Sequence, residues 1–149
     1  MNRFMADHML KRSCEWLRLM GYDISYPECH DDNDILKYCI KNDLILLTRD
    51  YEFYKRYNKS IFIDSTNYED QVKEIIRTFP PDKSKFFTRC PVCNSELIDV
   101  DSKNMDNNYI SVKSNFKTVK YCKKCNKYFW KGSHYKKIEK EINFFMNNI

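Results

Sequence analysis

Leu44-Ile45-Leu46-Leu47-Thr48-Arg49-Asp50 is the stretch on which the fold turns. Four consecutive apolar residues ending in a polar tripeptide read as a short strand buried on both faces. Parallel strands, covered by helices on each side, have that pattern. An acid follows just past the C-terminal end, the edge on which open α/β sheets place their ligands. Outward from this strand the chain alternates. Residues 2–6 read as a first strand, with Asp7 directly after it. Met9–Met20 reads as a helix, with Leu10, Cys14 and Leu17 at i, i+4 and i+7. Gly21 ends it in a left-handed position. Tyr22–Tyr26 alternates as a second strand, closed by Pro27. The acidic turn His30-Asp31-Asp32-Asn33-Asp34 opens a second helix to about Lys41, with Asp32 or Asn33 expected as its N-cap. Beyond the central strand, residues 51–57 read as a short aromatic helix and Ser60–Ile63 as a fourth strand. A helix from about Tyr68 to Phe79 stops at Pro80-Pro81. Such alternation predicts βαβ units, hence an α/β fold with a parallel sheet flanked by helices.

The last third is organised by cysteines. Cys90-Pro91-Val92-Cys93 and Cys122-Lys123-Lys124-Cys125 are two Cys-x-x-Cys pairs separated by 28 residues. Each pair can wrap a tight turn that aims two sulfurs at one ion, and four thiolates suit tetrahedral Zn²⁺. Asn94 and Asn126 follow the second cysteine of each pair, where such turns need a residue that tolerates positive φ. A four-thiolate zinc has no open position, so this metal is expected to be structural. Glu96–Val100 and Tyr109–Val112 read as a hairpin around Asp106-Asn107-Asn108, and Ser133 as the cap of a last helix. That helix carries Tyr135, Ile138, Ile142, Phe145 and Ile149 at heptad-like spacing, for packing onto the first domain or for a homodimer seam. The expected division is residues 1–82 and 83–149.

The 149 residues carry a formal net charge of +5. Residues 1–89 have 15 Lys and Arg against 15 acids, so the excess lies in the last third; 113–140 holds ten Lys and one acid, Glu139. A basic module beside a neutral one points to a polyanionic partner. The longest purely apolar run, Leu44–Leu47, is too short to cross a bilayer, and Met1–Asp7 carries no apolar leader core. No membrane is expected, and a cytoplasmic setting is, with Cys14, Cys29 and Cys39 as reduced thiols. Asp7 and Asp50 end two of the predicted parallel strands, and Asp32 and Asp34 begin a helix near the same edge. Carboxylates crowded there repel unless a cation joins them, and hard oxygen donors suit Mg²⁺ or Mn²⁺.

Several segments resemble the Mut-seven C-terminal RNase domain family, a PIN-like nuclease group. They are Phe4-Met5-Ala6-Asp7, Leu17-Arg18-Leu19-Met20-Gly21-Tyr22-Asp23, Leu46-Leu47-Thr48-Arg49-Asp50, Arg89-Cys90-Pro91-Val92-Cys93-Asn94 and Tyr128-Phe129-Trp130-Lys131-Gly132-Ser133-His134. The resemblance implies a PIN-like nuclease domain with an appended zinc ribbon, and metal-dependent hydrolysis of RNA. It carries catalytic acids onto Asp7, Asp50 and Asp32, with Asp34 competing for the last role and Asp64 in the place of a fourth acid. Ser13 and Glu15 depart from the family pattern in the first helix. On this reading Arg49 meets a phosphate. Lys123, Lys124, Lys127 and Lys131 hold the RNA backbone, Trp130 and its neighbours stack unpaired bases of single-stranded RNA, and His134 contacts phosphate or simply starts the helix. Two rivals stay open: a non-catalytic zinc-ribbon protein that binds RNA or associates with ribosomes, and a protein-interaction module using the last helix.

Overall fold

The computed structural model describes residues 1–28 and 31–149; Cys29 and His30, and with them the expectations for that thiol and for the start of the acidic turn, lie outside the described residues. Strands β1 (Arg3–Ala6), β2 (Asp23–Ser25), β3 (Ile45–Thr48) and β4 (Ser60–Phe62) form one sheet in the order β2-β1-β3-β4. Every pairing in it is parallel. Helices α1 (Lys11–Leu19), α2 (Asp32–Asn42), α3 (Tyr51–Lys55) and α4 (Tyr68–Thr78) cover both faces. Alternation along the strands sets the two cores. Phe4, Ala6 and Leu47 pack with Leu10, Leu17 and Ile75 beneath α1 and α4. Met5 and Leu46 pack with Ile35, Cys39 and Phe53 beneath α2 and α3. The chain leaves β1 toward one face and β3 toward the other. The carboxyl ends of these adjacent strands are therefore the topological switch point, the edge at which open α/β sheets place their ligands.

Local signals explain the element ends, with three corrections. Gly21 has φ +87, and a Cβ there would stand 2.6 Å from the Lys85 backbone oxygen, so the linker lies directly against the end of α1. The N-cap of α2 is Asp31, whose side chain accepts the Asn33 N–H; Asp32 and Asn33 are already helical. The expected hairpin partner at Tyr109–Val112 is instead helical, within α5 (Ile110–Asn115) and the turn before it. Asp106 accepts the Asn108 N–H, so a stretch that reads as a hairpin turn starts a helix. Strand β5 (Ile98–Asp101) pairs antiparallel with β6 (Thr118–Cys122), which pairs with β7 (Lys127–Phe129). The last helix, α6 (Ser133–Asn147), has Gly132 at its N-cap and no side-chain cap, so Ser133 does not cap it.

Helix α6 returns to the first sheet. Ile142 and Phe145 are buried in the α1–α4 core, Trp16 meets Phe145 edge-on at 5.5 Å, and Tyr68 donates to Glu141 Oε1 at 2.6 Å. The departure at Ser13 has its reason here: it is buried and donates to Gln71 Oε1 at 2.6 Å, joining α1 to α4. No helix among the described residues is long and apolar enough to cross a membrane.

Candidate active site and metal centre

Asp7 follows β1 and is 4% exposed, low for an acid. Its Oδ1 accepts the His8 N–H at 2.8 Å and its Oδ2 accepts the Thr48 hydroxyl at 2.7 Å. Thr48 Oγ1 in turn accepts the Asp50 N–H at 3.0 Å. One buried hydroxyl thus couples the ends of β1 and β3. Asp50 Oδ1 caps α3 by accepting the Glu52 and Phe53 N–H groups. Asp32 stands at the start of α2. Its carboxyl is raised above the ordinary range, first by partial burial and then by the charges of Asp7 and Asp50; Arg56 and His8 act in the opposite sense. The three acids therefore share one field at the switch point. Among the described residues, however, only the cysteine tetrad brings three or more potential ligand atoms within 4.8 Å of one another. The acids have the wider spacing.

Asp34 is exposed and lines a different space, a cleft of about 590 Å³ between α2, the end of β2 and the turn at Cys90–Cys93 (the first knuckle), which Lys124 also lines. Arg49 lies half-buried between β3 and β4. It donates weakly to the Asp64 carbonyl at 3.5 Å, and its buried Nε has no hydrogen-bond partner. Two participants were not singled out in the sequence. Thr48 had one signal, a hydroxyl ending an otherwise apolar strand. Arg56, which bonds Asn33 and lowers the Asp32 carboxyl, had none.

Cys90, Cys93, Cys122 and Cys125 are free thiols whose sulfurs converge. Cys90 and Cys125 are 3.9 Å apart and Cys93 and Cys122 3.4 Å. Four sulfurs about 2.3 Å from one Zn²⁺ stand about 3.8 Å apart at the corners of a tetrahedron, so the tetrad fits this ion. Asn94 and Asn126 hold φ 71 and 55, as their place after each pair requires. Backbone N–H groups support the turns: Asn94 donates to Cys90 O, Asn126 to Cys122 O, and Cys125 to Cys122 Sγ at 3.4 Å.

The first knuckle also docks the ribbon. Asn94 uses its side chain on the edge strand: Oδ1 accepts the Ile24 N–H at 3.2 Å and Nδ2 donates to Asp23 at 2.8 Å. Arg18, 6% exposed, donates to the carbonyls of Ile24, Pro91 and Val92 at 2.9, 3.0 and 3.0 Å. The open edge of β2 is covered in this way. Lys123, Lys124 and Lys127 are exposed at and beside the second knuckle. Trp130, Lys131 and His134 border a separate cavity at the start of α6.

A family model described as the Mut7-C RNAse domain matches residues 2–142, nearly the whole chain. No curated protein and no solved structure gives a significant match.

Proposed function

Because this chain belongs to the Mut7-C RNAse domain family, we propose that it is a metal-dependent ribonuclease. A PIN-like domain, residues 1–82, cuts RNA at an aspartate cluster; a zinc ribbon, residues 83–149, holds the strand. A ribonuclease-type function follows from the family. The observation that carries the finer reading is the Thr48 hydroxyl, which ties the Asp7 carboxylate to the Asp50 backbone at the switch point. That edge is where a parallel sheet presents its ligand site.

Asp7, Asp32 and Asp50 offer hard oxygen donors of the kind Mg²⁺ and Mn²⁺ take. Mg²⁺ binds through one or two carboxylates and keeps several waters, so it need not touch all three acids. When bound, the ion supplies a water of lowered pKa and neutralises charge on the phosphoryl group. Thr48 and the His8 N–H keep both oxygens of Asp7 oriented, so the carboxylate does not reorganise during the reaction. Asp50 caps α3 with one oxygen and has its second for the ion. Arg49 meets the phosphate from the β4 side, and Asp34 stands in the cleft that leads toward Lys124. In-line attack of water leaves a 5′-phosphate and a 3′-hydroxyl. The ribbon's structural Zn²⁺ keeps the basic surface in shape, and the lysines engage the RNA backbone. A cytoplasmic setting, in which the thiols stay reduced, belongs to the same proposal.

The test is digestion of an end-labelled single-stranded RNA pool by the zinc-loaded chain with Mg²⁺, with Mn²⁺ and with neither, Asp7→Asn serving as control. Cleavage that needs the metal and is lost in Asp7→Asn is expected. Binding of RNA without metal-dependent cutting would instead identify a zinc-ribbon RNA-binding protein.

A further inference from the structure

On the ribbon side a cavity of about 290 Å³ lies between the end of α1, the linker and the start of α6. Its walls are aromatic: Phe87, Tyr128, Trp130 and Tyr135. They are held in place. Phe87 and Tyr135 have centroids 4.4 Å apart, while Tyr109 meets Tyr128 edge-on at 5.5 Å and Trp130 at 6.1 Å. Phe87 also has φ 61, a left-handed backbone that a bulky residue rarely adopts, with its N–H fixed to the Leu19 carbonyl at 2.8 Å. Strain of this kind is retained where a side chain must be presented, and ligand clamps are a common place for it.

The mouth of the cavity is cationic. Lys131 lines it with no carboxylate partner among the described residues, its Nζ 5.9 Å from the Tyr135 ring. Ser133 and His134, also at the cavity, form the first turn of α6, which has no side-chain cap. Its leading N–H groups and helix dipole favour an anion. A flat apolar slot next to a cation and a helix N-terminus matches one kind of molecule, an aromatic ring tethered to a phosphate. An apolar peptide side chain would fill the slot but leave the cation and the N–H groups without a partner. The volume is near the lower end for small-ligand sites, about 300 Å³, and suits a single ring system.

We propose that this cavity takes one unpaired base of the RNA, stacked among the rings, with its phosphate on Lys131 and the first turn of α6. The ligand's identity as RNA rests on the ribonuclease reading; the fit for a nucleotide does not. Leu19 borders the cavity at the end of α1 remote from the acids. Helix α1, Lys11–Leu19, spans about 14 Å at 1.5 Å per residue. A docked base therefore sets the scissile bond a few nucleotides away along the strand.

The experiment uses the full zinc-loaded chain with Asp7→Asn and no added Mg²⁺ or Mn²⁺, so that nothing is cut. Adding Trp16→Phe leaves Trp130 as the one indole of the two in the chain. Hexa-adenylate should quench Trp130 emission saturably, and an abasic ribose-phosphate hexamer should not. Tyr135→Leu and Lys131→Ala should each weaken the hexa-adenylate response about tenfold, as removing a stacking ring or a phosphate-binding cation does. If Trp16→Phe does not fold, the emission difference between chains with and without Trp130→Phe supplies the same signal. Unchanged emission with hexa-adenylate, or an equal response to the abasic hexamer, overturns the proposal. Base-dependent quenching in a chain whose parent cuts no RNA would keep the pocket and remove the nuclease; cutting without base-dependent quenching would do the reverse.

Discussion

Thr48 and Asp32 are the residues at which the acid site is most exposed to test. Thr48 is fully buried, and its hydroxyl serves Asp7 and Asp50 together. Thr48→Val keeps the shape but leaves a buried carboxylate oxygen and an N–H without their partner. We expect a loss of about 1–3 kcal/mol in denaturant unfolding, with cleavage falling more than RNA binding. Asp32 works in the opposite sense. Its folded-state carboxyl is raised by burial and by the charges of Asp7 and Asp50. A raised acid favours the folded state while protonated, below the ordinary carboxylate range, and that contribution is lost as pH rises through the folded value. At neutral pH, without divalent metal, the ionised side chain opposes folding. Asp32→Asn should therefore raise the Tm at pH 7 and leave it little changed at pH 3. Stabilisation of the wild type by millimolar Mn²⁺ should be lost in the variant. An Asp32→Asn chain that melts lower at pH 7 would show a structural carboxylate.

Among the elements, the first knuckle has two duties. It holds half of the zinc tetrad, and through Asn94 and Arg18 it covers the edge of β2. The Arg18 guanidinium also stands beside a tetrad whose four thiolates would give a bound Zn²⁺ site a net charge of about −2. Arg18→Met should remove the guanidinium donor that the Ile24, Pro91 and Val92 carbonyls share and cost about 3 kcal/mol, read as a lower denaturant midpoint with unchanged slope. Zinc content should remain near one per chain, because no ligand is touched. Cys122→Ser should lose the metal and, in hydrogen exchange, deprotect β6 and β7 before the parallel strands. Equal deprotection of both sheets would mean that the ribbon and the first domain unfold as one unit.

At the scale of the whole molecule, charge is segregated, with acids at the switch point and exposed lysines on the ribbon. Long-range attraction for a polyanion depends on the number of phosphates neutralised and falls with salt. Replacing Lys123, Lys124 and Lys127 together by Glu should weaken RNA binding and lower the slope of log affinity against log salt by up to about 3, one for each phosphate that a lysine no longer neutralises. These exposed side chains carry no packing, so Tm should hold. An unchanged salt slope would leave these lysines as solvation only.

The sequence by itself determined the parts whose cause is local. The apolar run Leu44–Leu47, the helical spacing of Leu10, Cys14 and Leu17, and the acids past β1 and β3 follow from burial pattern and strand ends. The paired cysteines with Asn94 and Asn126, and Gly21 at the end of α1, follow from backbone turns that few residues can make. All of these read from a handful of neighbouring residues. Tertiary structure alone decided which strands lie side by side. The order β2-β1-β3-β4 makes Asp7 and Asp50 neighbours, gives Thr48 its two partners and puts Asp32 in their field. It also decided that 109–112 is helical, that Asp31 caps α2, that Asn94 and Arg18 bind the edge of β2, and that rings from the linker, ribbon and α6 close one cavity. Periodicity records how deeply a residue is buried and which way its backbone turns. It does not record which distant group satisfies a buried hydroxyl, amide or guanidinium, because that partner is chosen only when separate elements pack.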